Sequence, residues 1–228
     1  MRTDYHCHVL PEMDDGAKNS AISVQMLEML CSQGVERVVA TPHFYAHREK
    51  SVSRFLEKRQ KSYDELMTNK HPFNELVLGA EVAIEQGISE LDGIEKLVVS
   101  GTNLMLLELP YGPYADWMQE EIYNIACEYH IMPVIVHIHR YIGYYNRSEM
   151  ESILKTDAIF QINNEAFGSF REKRFVRNMI KNDLPIIFGS DSHNLSGRRP
   201  NFDLLIKKAS PELIAKSDDL MKKYIKNV

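Results

Sequence analysis

The sequence predicts an α/β fold whose parallel strands form a closed or nearly closed barrel with the helices outside. Short apolar runs alternate with longer stretches in which apolar residues recur at helical spacing. Several short runs, such as Val134-Ile135-Val136, are apolar throughout, which is typical of parallel strands buried on both faces. Seven such strand–helix units fit in the 228 residues. This number favours a barrel over the competing architecture, an open doubly wound sheet.

The individual elements follow from local composition. Strands are predicted where β-branched and apolar residues cluster between turn residues, at residues 3–8, 35–41, 76–81, 103–108, 132–137, 158–163 and 185–189. The clearest helical patterns span residues 20–33, 51–69, 114–130 and 170–181. Gly34, Gly79, Gly101 and Pro133 mark joins between these elements.

Composition narrows the class of protein. A mass of 26.4 kDa, 44% hydrophobic residues and 26% charged residues predict a single globular domain spanning 1–228 and exclude a disordered or fibrous chain. No apolar stretch is long enough to span a membrane, and no secretory signal precedes the first strand. The three cysteines, Cys7, Cys31 and Cys127, are too few and too scattered for a disulfide framework, so we expect a cytoplasmic protein. The net charge of −5 argues against nucleic-acid binding through bulk charge.

Potential metal ligands follow six of the predicted strands. The residues are His6 and His8, His43, Glu81, Glu108, His137, and Asp191 with His193. In parallel α/β folds the C-terminal ends of the strands meet at one face, so these side chains are expected to converge. Histidine and carboxylate ligands without cysteine thiolates favour manganese, iron or zinc.

The spacing within each motif supports this prediction. Residues i and i+2 of a strand point the same way, so His6 and His8 can bind one ion while Cys7 faces away, and Asp191 and His193 are spaced alike. A single His-x-His motif is more often structural than metal-binding. The recurrence of ligand residues after successive strands is what favours a metal site.

Charge then indicates the class of substrate. If three divalent ions share the eight residues above and Asp15, the positive charge of the ions exceeds the negative charge of the four carboxylates. Arg140 and Arg198 lie just beyond these ligands in the sequence and add further positive charge. Such a site favours a phosphate monoester, which arginines can bind bidentately while hydroxide generated at the metals attacks phosphorus.

These motifs resemble the PHP (polymerase and histidinol phosphatase) superfamily. More narrowly, they are similar to the manganese-dependent tyrosine-protein phosphatases of bacterial capsule and exopolysaccharide synthesis, the CpsB/CapC family. The resemblance covers essentially the whole chain. It rests on Asp4-Tyr5-His6-Cys7-His8-Val9-Leu10-Pro11, Asp14-Asp15-Gly16-Ala17-Lys18, Ala40-Thr41-Pro42-His43, Gly79-Ala80-Glu81, Leu107-Glu108-Leu109-Pro110, His137-Ile138-His139-Arg140-Tyr141 and Ser190-Asp191-Ser192-His193-Asn194-Leu195-Ser196-Gly197-Arg198.

The resemblance implies a distorted TIM-like (β/α)7 barrel, the PHP fold, with three divalent ions, most commonly Mn²⁺, at the C-terminal ends of the strands. It assigns His6, His8, Glu81 and Asp191 to one ion, Glu81, Glu108 and His137 to a second, and Asp15, His43 and His193 to a third. It makes Arg140 and Arg198 the phosphate-binding residues. The implied substrate is the phosphotyrosine-containing tail of a cognate tyrosine autokinase that regulates polysaccharide export, with no nucleic-acid partner and no membrane insertion.

Three features leave alternatives open. Members of the family commonly have glutamate where this chain has His139, which would face the same side as His137 if the strand continued. Asp191 is also a candidate catalytic residue, but as a metal ligand it is not assigned as the proton donor. Nearby aromatic residues either stack on a phosphotyrosine ring or pack the loops; they are Phe44, Tyr45, Tyr141, Tyr144 and Tyr145.

Two rival functions remain at this stage. The first is a small-molecule phosphatase such as histidinol phosphatase, and the second is a catalytically silent PHP module that binds a partner. The opening Asp14-Asp15-Gly16 motif argues against the first, and the complete ligand set argues against the second. A cysteine phosphatase is disfavoured because Cys7 has methionine, not arginine, six residues later.

Overall fold

The computed structural model describes residues 1–224, which form nine short strands and seven α-helices. The strands are β1 (Thr3–Cys7), β2 (Arg37–Ala40), β3 (His43–Phe44), β4 (Val77–Leu78), β5 (Glu81–Ala83), β6 (Leu104–Glu108), β7 (Met132–Ile135), β8 (Ile159–Asn163) and β9 (Ile186–Gly189). The helices are α1 (Ser20–Ser32), α2 (Val52–Met67), α3 (Trp117–Tyr129), α4 (Arg147–Ile153), α5 (Phe170–Lys181), α6 (Phe202–Lys208) and α7 (Pro211–Tyr224). Short 3₁₀ helices occupy several of the connections.

All strand pairs are parallel, in two sheets of order β1-β2-β4 and β3-β5-β6-β7-β8-β9. The chain changes sheet at two divisions, between β2 and β3, just beyond the predicted strand 35–41, and between β4 and β5, at the end of the predicted strand 76–81. Pro42 lies at the first division and has no N–H to donate to a ladder. Hydrogen bonds still cross both divisions, from Gly79 N to Ala40 O (2.9 Å) and from Glu81 N to Pro42 O (3.0 Å).

The strand array returns to its first strand. Cys7 at the end of β1 forms a parallel bridge to Ser192, which follows β9. Asp191 N donates to His6 O (2.7 Å), and His8 N donates to Ser192 O (3.0 Å). The neighbours therefore run from β1 round to the segment after β9 and back to β1, as in a distorted barrel, and the predicted TIM-like fold is confirmed.

The apolar core has two layers, inside and outside the ring of strands. The inner layer includes Tyr5, Val39, Leu106 and Val134, and Leu220 of α7 packs against them. The outer layer packs the alternate strand residues against the helices and includes Cys7. Because Tyr5 and Cys7 belong to different layers, β1 must twist between them, and its register against β2 indeed shifts between Asp4 and Cys7.

Helix α7 covers the amino-terminal end of the barrel. The Tyr5 hydroxyl donates to Ser217 O (3.1 Å), and Asp218 Oδ1 accepts from Thr3 N (2.9 Å). The opposite end of the barrel, where the strands finish, is therefore left for the site. None of the helices within residues 1–224 is long and apolar enough to cross a bilayer.

The chain passes very close to β1 at one glycine. A Cβ placed on Gly189, the last residue of β9, would lie 2.7 Å from His6 Cβ and 2.9 Å from Gln161 Nε2. Real Cβ atoms do not approach other atoms this closely, so any side chain here would displace His6. The glycine lets β8, β9 and β1 meet beneath the site.

Candidate active site

The structure brings together all nine residues that the sequence predicts as metal ligands, at the C-terminal ends of the strands. We call them the His–carboxylate cluster; they are His6, His8, Asp15, His43, Glu81, Glu108, His137, Asp191 and His193. Most are buried, with His6 and His8 at 0% exposure and Glu81 at 1%. Asp15 is the exception, since its side chain is 65% exposed at the mouth of the site.

Glu81 lies at the centre of the cluster. Its Oε2 is 3.0 Å from Nε2 of both His6 and His8 and 3.1 Å from Nδ1 of His43. Its Oε1 is 2.8 Å from Nε2 of His137. One carboxylate therefore reaches four imidazoles that come from three different strand ends, those of β1, β3 and β7, which is the arrangement of a bridging ligand.

Three compact groups within the cluster have ligand atoms close enough to share an ion. They are His6, His8 and Glu81; His43, Glu81 and Glu108; and His8, Asp15, His43 and His193, in each of which the atoms lie within 4.8 Å of one another. These groups overlap the three sets implied by the resemblance. The differences are that Asp191 is not in the first group, that His43 takes the place of His137 beside Glu81 and Glu108 in the second, and that His8 joins the third.

Several ring nitrogens in the cluster suit a cation better than a hydrogen bond. Nε2 of His6 and Nε2 of His8 lie 3.1 Å apart. Nε2 of His193 and Nδ1 of His43 are buried and make no hydrogen bond to the described residues, although His43 Nδ1 approaches Glu81. Buried polar atoms without partners are costly, and divalent ions bound at these groups would satisfy them. The residues present therefore fit a metal centre.

Hydrogen bonds behind the cluster set the direction of the imidazoles. Nδ1 of His6 bonds to Gln161 Oε1 (3.1 Å), and Nδ1 of His8 bonds to Asp14 Oδ2 (2.8 Å). Nδ1 of His193 bonds to the backbone oxygen of Asp191 (3.0 Å). Each acceptor holds the proton on Nδ1 and leaves the Nε2 lone pair directed into the cluster, as metal-binding histidines require.

Strand β8 contributes no predicted ligand, yet it supports the cluster through two amides. Gln161 Oε1 also accepts from His137 N (2.8 Å), and its Nε2 donates to Asn163 Oδ1 (2.9 Å). Asn163 Nδ2 in turn donates to Asp191 Oδ2 (2.9 Å). Sequence reasoning missed both residues. The available signal was two amides at i and i+2 in the apolar strand Ile159–Asn163.

Replacing Gln161 by methionine, which has a similar volume, is expected to weaken metal binding about 10- to 100-fold, because loss of supporting partners has effects of this size. His6 then loses the acceptor that fixes its tautomer. Metal affinity is measured by calorimetric titration of Mn²⁺ into metal-stripped protein. Gln60→Met on the exposed face of α2 is the matched control, and equal affinities in the two variants would refute the supporting role.

The pKa shifts within the cluster indicate that bound cations would stabilise it. Burial, with the neighbouring Glu81 and Asp191 carboxylates, raises the pKa of Glu108 to about 9. Burial also lowers the pKa of His43 to about 4 and lowers the pKa of His137, so both rings are neutral and free to act as ligands near pH 7. The four carboxylates are thus not all ionised unless cations balance them.

The two predicted arginines both contact Asp191. Arg140 Nη1 is 2.8 Å from Asp191 Oδ2, and Arg198 Nη2 is 2.8 Å from both carboxylate oxygens. Arg140 also donates to Glu165 Oε1 (2.6 Å). Although burial opposes its charge, Asp191 has a pKa well below the usual range because His6 and Arg140 stabilise the carboxylate. Such a group is poorly suited to donate a proton, which favours its role as a ligand.

An open cavity of about 450 Å³ lies directly above the cluster. It is lined by His43, Tyr45, Glu81, Glu108, Tyr111, His137, Arg140, Tyr144, Glu172 and Arg198. Tyr111 and Tyr144 are 42% and 56% exposed, and their rings meet edge to face at 5.1 Å. The other aromatic candidates, Phe44, Tyr141 and Tyr145, are buried in the packing around the site. Sequence reasoning missed Tyr111, whose hydroxyl lies 3.1 Å from His137 Nδ1.

Strand β7 ends before His137, so the condition under which His139 would face the same side is not met. His137 has a left-handed backbone (φ 32°), and a 3₁₀ helix, Ile138–Gly143, follows it. His139 is 1% exposed, and neither ring nitrogen has a hydrogen-bond partner among residues 1–224. Burial lowers its pKa well below the usual value, so the ring is neutral.

Cys7 is a packed strand residue, as predicted. Its side chain is fully buried, and Sγ lies 3.2 Å from Ser192 Oγ. Burial raises the pKa of the thiol well above its ordinary value. A neutral, inaccessible thiol is a poor nucleophile, so Cys7 is not a candidate catalytic residue.

Known proteins match most of the length of this chain. YwqE of Bacillus subtilis, a tyrosine-protein phosphatase, is 28% identical over 210 residues, covering 86% of this chain and 78% of YwqE. CpsB of Streptococcus pneumoniae, also a tyrosine-protein phosphatase, is 28% identical over 227 residues and 90% of each chain.

Solved structures confirm the fold. A chain from the crystal structures of B. subtilis YwqE and S. pneumoniae CpsB, described as metal-dependent tyrosine phosphatases, aligns with a TM-score of 0.79 and 24% identity over 98% of this chain and 94% of that one. The phosphotriesterase homology protein of Escherichia coli, solved with phosphate in its active site, aligns with a TM-score of 0.51 and 11% identity over 99% and 98% of the two chains.

The family model for capsular polysaccharide synthesis, CpsB/CapC, matches residues 2–223, nearly the whole chain. That span contains every member of the His–carboxylate cluster and both arginines. The sequence-based identification is therefore confirmed: this chain belongs to the CpsB/CapC family.

Proposed function

We propose that this protein is a metal-dependent protein-tyrosine phosphatase. The observation that carries the proposal is the composition of one cavity. Its base is the His–carboxylate cluster, two guanidinium groups lie at its side, and tyrosines form its wall. This combination suits a phosphate group attached to an aromatic ring. The tyrosine-phosphatase names of similar proteins support the same conclusion.

Charge explains why metal would be essential. Without cations the ionised carboxylates of the cluster offset the charge of Arg140 and Arg198, so the site would attract a phosphate dianion only weakly. Three divalent ions would make the site clearly positive. They would also supply Lewis acidity and lower the pKa of water.

The ligand residues proposed for these ions are the nine members of the cluster, and the metal proposed is Mn²⁺. Mixed imidazole and carboxylate ligation also suits iron and zinc.

Arg140 and Arg198 are proposed to bind the phosphoryl oxygens. A guanidinium has five N–H donors in a planar fork, and the bonds to Asp191 and Glu165 use only some of them. The remaining donors are available at the cavity side, where Arg140 and Arg198 are 28% and 37% exposed. The Asp191 carboxylate holds both groups side by side, so their geometry is set before the substrate arrives.

The aromatic wall is proposed to receive the tyrosyl ring of the substrate. Tyr111 and Tyr144 already contact each other edge to face, and Tyr45 stacks on His43 at 5.1 Å. A substrate ring between them would gain the same offset or edge contacts. The leaving group is a phenolate with a pKa near 10, so departure needs less proton donation than that of an alkyl alcohol.

The physiological substrate proposed is the phosphotyrosine tail of a tyrosine autokinase that controls polysaccharide synthesis. Membership of the capsular polysaccharide synthesis family supports this. We further propose a cytoplasmic location, which is supported by three cysteines that are all unpaired. A single domain spanning 1–228 is also proposed, since residues from His6 to His193 converge on one site.

The proposal is tested by phosphate release from a phosphotyrosyl peptide. Protein stripped of metal and reconstituted with Mn²⁺ is expected to release phosphate, and an aliquot treated with chelator is expected to lose this activity. Re-addition of Mn²⁺, Fe²⁺ or Zn²⁺ to the chelated sample identifies the metals that restore turnover. A phosphoseryl peptide and histidinol phosphate serve as comparison substrates.

Two outcomes would overturn the proposal. Faster turnover of histidinol phosphate than of the phosphotyrosyl peptide would favour a small-molecule phosphatase. No turnover of any substrate, with bound metal confirmed by elemental analysis, would favour a catalytically silent binding module.

A further inference from the structure

A second, larger cavity of about 750 Å³ lies between α4 and α5, outside the active site. Its floor is apolar and includes Met150, Phe175 and Met179, of which Met150 and Met179 are 6% and 1% exposed. Its rim is basic and is formed by Arg147, Arg171 and Arg174, all exposed. We call this cavity the α4–α5 groove.

The positive charge of the groove is local. Helix α5 carries five basic residues and one acidic residue, whereas the whole chain has a net charge of −5. Glu151 is the acidic residue in the lining of the groove, and Arg147 pairs with it at 2.8 Å. Arg174 forms no ion pair with any described residue. The groove is therefore complementary to an acidic ligand that also has apolar side chains.

The groove adjoins the active-site cavity through two shared elements. The 3₁₀ helix that carries Arg140 contributes Ile142 to the groove, and the segment after it contributes Tyr144 to the active-site cavity. Helix α5 contributes Glu172 to the active-site cavity and Arg171 to the groove. Arg171 Nη2 also donates to Ile142 O (2.5 Å), which ties the two elements together at the boundary.

We propose that the α4–α5 groove binds acidic residues flanking the phosphotyrosine of a protein substrate. This proposal rests on the phosphatase function proposed above and extends it to substrate recognition. An extended peptide advances about 3.3–3.6 Å per residue, so each residue flanking a phosphotyrosine held at Arg140 lies that much further from it, and the shared 3₁₀ helix and α5 place the groove next to the active-site cavity. Carboxylates then face the arginine rim, and apolar residues of the peptide face the floor.

The test compares two phosphotyrosyl peptides, one with aspartate and glutamate flanks and one with asparagine and glutamine in their place. The double variant R171Q/R174Q is expected to lower kcat/KM for the acidic peptide about fivefold to tenfold, mainly by raising KM, as expected for the loss of two exposed charge contacts. The neutral peptide and p-nitrophenyl phosphate are expected to change less than about twofold, because the first has no carboxylates to face the arginines and the second does not reach the rim.

Two further variants make the result specific. Loss of the contact between Arg171 and Ile142 could by itself impair folding of the double variant. R174E avoids this problem, because Arg174 forms no ion pair within residues 1–224, and it is expected to lower kcat/KM for the acidic peptide selectively. K222Q/K223Q on α7 removes the same charge at the opposite end of the barrel and is expected to leave all three substrates unchanged. Raised salt is expected to weaken the acidic-peptide preference of the wild-type protein.

The proposal is overturned if the arginine variants affect both peptides equally or affect neither. Binding of the acidic peptide, carrying a non-hydrolysable phosphonate and followed by fluorescence anisotropy, provides a readout independent of turnover. Tight binding that depends on Arg171 and Arg174 in a protein without phosphatase activity would refute the proposed function while supporting the groove. Activity on both peptides with equal binding would support the function and refute the groove.

Discussion

Replacing Glu81 by glutamine is expected to lower kcat/KM on the phosphotyrosyl peptide by about a thousandfold or more, because the metal chemistry of the site depends on this residue. Glu81 lies within 3.1 Å of four imidazole nitrogens. Burial alone would raise its pKa, but the neighbouring His6 and the hydrogen bond with His137 bring it well below the ordinary value. Glutamine keeps the shape and removes both the charge and one acceptor oxygen.

Metal content distinguishes this result from simple unfolding. The E81Q protein is expected to bind less Mn²⁺ than the wild type by elemental analysis while keeping its far-ultraviolet circular dichroism. Glu85→Gln is the matched control, since Glu85 lies four residues further on and bonds to His47, outside the cluster. Full metal content and normal turnover in E81Q would contradict the central role of Glu81.

Replacing Arg140 by methionine is expected to reduce kcat/KM about a hundredfold, since a charge-assisted contact to the phosphoryl group is removed from a partly buried site. Arg140→Lys is expected to recover only part of this loss, because an ammonium cannot contact Asp191 and phosphate with a planar fork. Arg198→Met is expected to have an effect of similar size. Initial rates over a range of peptide concentrations separate kcat from KM.

The two arginines are expected to be coupled. Both contact the same carboxylate, so the double variant of Arg140 and Arg198 should lose less than the product of the two single effects. Arg199→Met removes the same charge from an exposed neighbour and is expected to change kcat/KM less than about twofold. Independent, multiplicative effects would show that Asp191 does not organise the pair.

The metal-ligand residues could be predicted from the sequence because they come directly after the predicted strands. Short apolar runs locate most of the strands, and parallel topology places their ends at one face whatever the details of packing. All nine predicted ligands accordingly converge. How they divide among ions was not predictable in the same way, since it depends on side-chain rotamers, as the position of His43 beside Glu108 illustrates.

The supporting residues escaped prediction for a physical reason. Gln161 and Asn163 do not have metal-ligand chemistry of their own, and their roles arise only because Gly189 lets three strands meet. The turn at His137 was also missed, since an apolar run predicts a strand but not the residue at which the backbone leaves it. Helices α4, α6 and α7 were not among the predicted elements, and the boundary of α3 was placed three residues early.

The junction between β1 and the segment after β9 also bears on how the protein is made. Asp4 accepts hydrogen bonds from Ser190, 186 positions later, and His6 O accepts from Asp191 N. On the ribosome, His6 and His8 emerge long before Asp191 and His193 are translated. Pairings this distant in sequence close slowly. The nascent chain therefore lacks a complete set of the proposed ligands until synthesis is nearly finished.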